Sequence, residues 1–131
     1  MNNQAEKLSN GLPLPPIPQR LREMLKDYPG HLERLQEVLN TVVEGPMKAK
    51  GSPDYTFERA TWRLEGRLET FIHEAQDELE AAQASGDAEA IARAKEKLSL
   101  MRRSCSSSGG MKLFYMNDLS QYLETNKEAL R

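Results

Sequence analysis

Cysteine is nearly absent from this sequence. Cys105 stands alone, so an intrachain disulfide is impossible and a thiolate-based zinc site within one chain is excluded. Histidine is almost as scarce, with 2 in the chain, and the positions three before His31 and His73 are Tyr28 and Thr70. The paired Glu-x-x-His motifs of carboxylate-bridged di-iron bundles are therefore missing. No apolar run approaches the roughly 18 residues that a membrane helix needs, and the mean hydropathy is −0.70. The polar, Asn-rich start lacks the apolar core of a signal peptide, so the expectation is a soluble, cytoplasmic protein with no membrane contact. Neither sign of charge dominates, since 18 Lys+Arg against 20 Asp+Glu leave a net −2. Gly109-Gly110-Met111-Lys112 has neither the spacing nor the preceding strand of a phosphate-binding loop, and no dinucleotide fingerprint occurs elsewhere. No cofactor is implied.

What remains is helix-forming material. Hydrophobic residues make up 38% and charged ones 29% of the chain, rich in Glu, Ala, Leu, Arg and Lys, a balance that predicts an all-α fold. Residues 1–18 read as a flexible Pro-rich arm, because the prolines of Leu12-Pro-Leu-Pro-Pro-Ile-Pro18 favour polyproline II and remove backbone donors. Residues 19–131 read as a single helical domain. Ile17, Leu21, Met24/Leu25 and Tyr28 have the spacing of one apolar helix face, broken at Tyr28-Pro29-Gly30. A second helix carries Leu32, Leu35, Leu39 and Val42, with Val38 and Val43 on its flank, and stops at Gly45-Pro46. A mobile linker follows at 45–53, where Ser52 is a cap candidate ahead of Pro53.

The centre of the chain predicts a long antiparallel hairpin, about 54–83 and 87–104. Phe57, Thr61, Leu64, Leu68, Phe71, Ala75, Leu79 and Ala82 keep helical spacing over roughly 40 Å. Ser85-Gly86-Asp87 supplies a C-terminal glycine and an N-cap. Ile91, Ala94, Leu98, Met101 and Cys105 then form the facing stripe. Leu64, Leu68, Phe71, Leu79, Ile91, Leu98 and Met101 are the expected core. Glu69, Glu74, Asp77, Glu78 and Glu80 stand without a Lys or Arg across 69–80, and Arg93, Lys95 and Lys97 fold back beside them. Ser104–Gly110 reads as a second mobile linker with nothing to bury. Met111–Met116 is expected to dock on the bundle, and Asp118-Leu-Ser-Gln121 resembles a capping box opening a C-terminal helix.

Several arrangements carry candidate chemistry. Glu69, His73 and Asp77 recur at i, i+4, i+8 and would present three metal ligands on one face, although an exposed charged row has the same pattern. Cys105 continues an apolar stripe, which describes a core thiol better than a nucleophile. Pro15-Pro-Ile-Pro-Gln-Arg20 matches the Pro-x-x-Pro-x-Arg ligands of SH3-type grooves. The same residues serve equally as a stiff arm packing Leu12, Leu14 and Ile17 onto the chain's own helices.

Folding the hairpin about Gly86 brings Arg59, Arg63 and Arg67 toward Arg102 and Arg103, a basic end on a net-acidic protein. These arginines need acids. Glu23, Asp27, Glu37 and Glu44 are internal candidates, and phosphate or an acidic partner surface is the alternative. Trp62 lies about 100° off the main stripe, a heptad after Tyr55, so it packs under a neighbouring helix or forms a binding hot spot with Arg59 and Arg63. The expected function is a non-enzymatic protein–protein interaction module, an adaptor, regulator, chaperone or antitoxin-like inhibitor. Its candidate binding residues are Arg59, Trp62, Arg63, Arg67, Arg102 and Arg103, with no catalytic or metal residue. The alternatives are a nucleic-acid-binding protein using the basic hairpin end, and a metal-dependent or catalytic role on the long helix. A second copy of the chain is a further partner to test.

Overall fold

The computed structural model describes residue 8 and residues 11–44 and 53–130. In chain order the helices are α1 (Gln19–Met24), α2 (Pro29–Glu44), α3 (Pro53–Ser85), α4 (Ala88–Cys105), α5 (Asn117–Thr125) and α6 (Lys127–Leu130), with a 3-10 turn at Leu113–Met116 before α5. The fold is an all-α bundle built on the α3/α4 hairpin, with no strand among the described residues. The Gly45-Pro46 stop, the linker as far as Ser52, and the side chains of Tyr55 and Leu130 lie outside the described residues.

Local sequence explains the hairpin. The Gly86 backbone is left-handed at φ 76, a conformation that costs glycine nothing, and its N–H closes the last turn of α3 on the Ala82 and Gln83 carbonyls. Asp87 then caps α4 by accepting a hydrogen bond from the Glu89 N–H, 3.1 Å. Arg102 and Arg103 fall in the last turn of α4, where positive charge complements the helix dipole.

One core joins the elements. Phe71, Leu64 and Leu68 of α3 and Met101 of α4 are fully enclosed with Leu21 of α1, Leu25 of the turn after it, Leu35 and Leu39 of α2, and Met116, Leu119 and Leu123 from the C-terminal segment. Met111 and Met116 hold the expected docking segment, while Leu113 between them stays 67% exposed. The first helix is shorter than its apolar spacing predicts. It ends at Met24, after which Leu25–Asp27 turn and the Tyr28 carbonyl accepts the Leu32 N–H to start α2, placing Pro29 in the first turn, where no amide donor is needed.

Leu79 and Ile91, expected in the core, are only half-buried. The 33 residues of α3 span about 50 Å, while the 16 of α2 span about 24 Å. α2 lies antiparallel to α3, beginning near Glu78, and among the described residues no third helix covers the hairpin beyond that level. Leu79, Ala82, Ile91 and Ala94 therefore shield one another across a two-helix tip.

The packed reading of the Pro-rich arm describes residues 11–18. Pro15, Ile17 and Pro18 are buried and Leu12 and Leu14 pack against the core. The Pro15 carbonyl accepts from Gln36 Nε2 (2.8 Å) and the Pro13 carbonyl from the Tyr122 hydroxyl (2.6 Å). Ser104–Gly110 also buries more than expected. Ser104 and Gly110 are enclosed, and the Gly110 and Met111 N–H groups donate to the Arg103 and Ser106 carbonyls, 3.0 Å each. The Asp118 capping box does not form, because Met116 is the N-cap and Asp118, already inside α5, engages Arg22 of α1 at 3.3 Å.

Candidate functional site

α2 and α3 pack antiparallel, and the face they share on the solvent side is a groove of about 440 Å³. One wall is Glu37, Val38 and Thr41 of α2. The other is formed by two rows of α3, Trp62–Gly66–Thr70 and Arg63–Arg67, whose members are one turn apart. Trp62 was expected to pack beneath a neighbouring helix, yet it is 62% exposed. Leu35, Leu39, Val42 and Val43 of α2 face the core, so Trp62 meets the other side of that helix, where buried Val38 accompanies the polar Glu37 and Thr41.

Gly66 shapes the groove. A Cβ built on it would meet nothing within 4 Å, so no close packing inside the chain requires a glycine in mid-helix. The missing side chain leaves a depression beside the Trp62 indole. Thr70 closes one end by donating to the Gly66 carbonyl, 3.2 Å.

The internal acids expected to neutralise the arginines do not pair with them among the described residues. No salt bridge among the described residues joins Arg59, Arg63, Arg67, Arg102 or Arg103 to Glu23, Asp27, Glu37 or Glu44. Glu23 accepts from Gln19 instead, 3.1 Å, and the Arg34 guanidinium of α2 takes Glu74. Arg63 and Arg67 line the groove; Arg59 is half-buried and outside it, and Arg102 and Arg103 are exposed at the end of α4 without lining it. The facing charges of the hairpin pair only in part. Lys97 reaches Glu78 at 2.9 Å, but Arg93 approaches Glu89 of its own helix at 4.0 Å.

A second polar cluster, absent from the sequence reading, lies where α2 begins. His31 sits between Phe71 (ring centroids 4.3 Å) and Tyr28 (5.4 Å), tilted against both rings. Arg34 sits over the Phe71 ring at 4.8 Å, and Lys97 over the Tyr28 ring at 5.2 Å. Burial lowers the His31 pKa below its ordinary value, with Lys97 and Arg34 acting in the same direction against Glu74 and Glu78. Every member has a partner inside the chain, so this cluster ties α2 to the hairpin.

Other candidates offer less. Glu69, His73 and Asp77 are exposed, and among the described residues no group of three His, Cys, Asp or Glu side chains is placed to hold a metal ion. The Cys105 thiol is half-buried against the Glu65 carbonyl at 3.8 Å, and burial, then Glu69 and Glu65, push its pKa up, opposite to an activated nucleophile. No helix among the described residues is long and apolar enough to cross a membrane. Comparison with protein-family models, curated proteins and solved structures finds no match to this chain.

Proposed function

We propose that this chain is a non-enzymatic protein–protein interaction module that engages its partner through the α2/α3 groove. The observation that carries the reading is Trp62, 62% exposed beside Gly66 and next to two arginines that form no ion pair among the described residues. Burying so large an apolar side chain against a partner is strongly favourable, and tryptophan with arginine is the composition of interface hot spots. Adaptor, regulator, chaperone and inhibitor are roles that such a surface serves.

Quantitative mass spectrometry of proteins co-purifying with the tagged chain tests this, comparing wild type with a Trp62→Ala/Arg63→Glu variant. Proteins recovered with wild type and depleted about tenfold with the variant support the reading. Equal recovery by both, or recovery of nucleic acid in place of protein, overturns it.

A further inference from the structure

We infer that the groove accepts an amphipathic helix of a partner protein whose carboxylates, one turn apart, meet Arg63 and Arg67 while an apolar side chain beside them fills the hollow over Gly66 against Trp62. The inference rests on the proposed interaction role and names the chemistry of the partner.

Shape indicates a helix. Two antiparallel helices present parallel rows of side chains, and the valley between the Glu37–Val38–Thr41 wall of α2 and the Trp62–Gly66–Thr70 and Arg63–Arg67 rows of α3 is the kind into which a third helix inserts a ridge of its own. Gly66 lowers one row midway and lets the incoming backbone come close. A volume of about 440 Å³ holds a few side chains, as a helix face supplies.

Charge selects an acidic helix. Arg63 and Arg67 lie at i, i+4 on α3, so Asp or Glu at i, i+4 on a partner helix repeats the same rise and reaches both guanidinium groups. Glu37 on the facing wall has no ion pair among the described residues and suits the positive N-terminal turn of the incoming helix, which fixes its direction. The same Glu37, together with a chain that is net −2, disfavours the continuous phosphates of a nucleic acid.

The test is selection of random peptides displayed on phage against the wild-type chain, followed by titration of the enriched synthetic peptides. Trp62 is the only tryptophan, so its emission reports the groove directly. The expected peptides carry Asp or Glu at i, i+4 beside an apolar residue, blue-shift Trp62, and weaken with added salt. Binding should fall about tenfold or more in Arg63→Gln/Arg67→Gln and in Gly66→Leu. If either variant loses its helical circular dichroism, Glu→Gln peptides titrated against wild type make the same comparison. Enriched peptides without acidic pairs, Glu→Gln peptides that bind equally well, or no peptide that shifts Trp62 overturn the inference. So does a DNA or RNA oligonucleotide that shifts Trp62 more strongly than any peptide, or sedimentation showing that self-association buries it. Co-purifying proteins that still depend on Trp62 would then leave the interaction role standing and remove only the acidic helix.

Discussion

Arg34 of α2 grips Glu74 of α3 through two parallel hydrogen bonds, each 2.8 Å, with its guanidinium lying over the enclosed Phe71 ring. The pair stands at the rim of the core and holds α2 in register along the hairpin. The hydrogen bond from Arg34 holds the Glu74 carboxyl below its ordinary pKa of 4.5, outweighing the opposing effect of burial. A double-mutant cycle with Arg34→Ala and Glu74→Ala, read by urea unfolding at neutral pH, should give a coupling of about 1 kcal/mol, at the upper end for a part-exposed pair because the geometry is bidentate. A lowered carboxylate pKa stabilises the fold above the unfolded value and loses that effect as pH falls through the folded value. The coupling should therefore vanish in acid below the ordinary carboxylate range.

His31 gives the opposite end of the acid limb. Its folded pKa lies below 6.5, chiefly through burial, so the folded chain binds fewer protons than the unfolded one once pH drops below that value. Stability should decline as pH falls from about 6.5 toward the folded pKa and then level off as far as this group is concerned. His31→Phe keeps a ring between Tyr28 and Phe71 and should flatten that part of the profile. Thermal melts from neutral to mildly acidic pH that fall equally in both proteins would contradict the assignment.

The legible part of this fold is the part governed by neighbours in sequence. Gly86 and Asp87 define the turn, and the stripes through Leu64, Leu68, Phe71, Leu98 and Met101 define the buried faces, so the hairpin follows from local rules. What a third helix covers is not local. The exposure of Leu79 and Ile91 depends on where α2 begins, and the exposure of Trp62 depends on which side of α2 turns inward. Arg34 and Glu74 stand 40 positions apart, beyond any i, i+4 pattern. Trp62, Arg63 and Arg67 stood out in the sequence by type and spacing, whereas Gly66 belongs to no motif and Glu37 read as a neutralising acid. The available signal was a helix-interior glycine one turn after a tryptophan off the main stripe.

Burial along α3 predicts a gradient in mutational cost. Leu68→Ala, fully enclosed, should cost about 2–5 kcal/mol and Phe71→Ala about 3–5 kcal/mol. Leu79→Ala at the half-exposed tip should cost about 1 kcal/mol. Chemical denaturation of the three variants measures this directly. Equal costs at Leu68 and Leu79 would mean that the tip is covered in solution, as by a second copy of the chain.

Gly110 is held by close approach. A Cβ there would run into the Ser104 carbonyl oxygen and lie 2.7 Å from Leu21 Cδ2 and 2.8 Å from Ser104 Cα, so backbone and core would both have to shift. Gly110→Ala should destabilise the fold by about 1–3 kcal/mol through overpacking, although it adds a single methyl group. The neighbouring Ser108→Ala, at an exposed position, should fall within about 0.5 kcal/mol of wild type. A neutral Gly110→Ala would show that the turn after α4 is loose.

Gly66 should behave in the reverse way, and the contrast separates packing from function. It is exposed in the middle of α3 with open space where a Cβ would stand, so Gly66→Ala introduces no clash and removes the conformational freedom that glycine loses on folding. The expected result is a gain of about 0.5–1 kcal/mol, seen as a melting temperature raised by a few degrees. Larger side chains at the same site, such as Gly66→Leu, should also fold, because the space above them is solvent. A stable Gly66→Leu chain with unchanged circular dichroism, yet unable to hold a partner that wild type and Gly66→Ala retain, would show that the glycine serves the groove and not the fold. A loss of stability in Gly66→Ala would instead mean that the hollow is occupied within the chain itself.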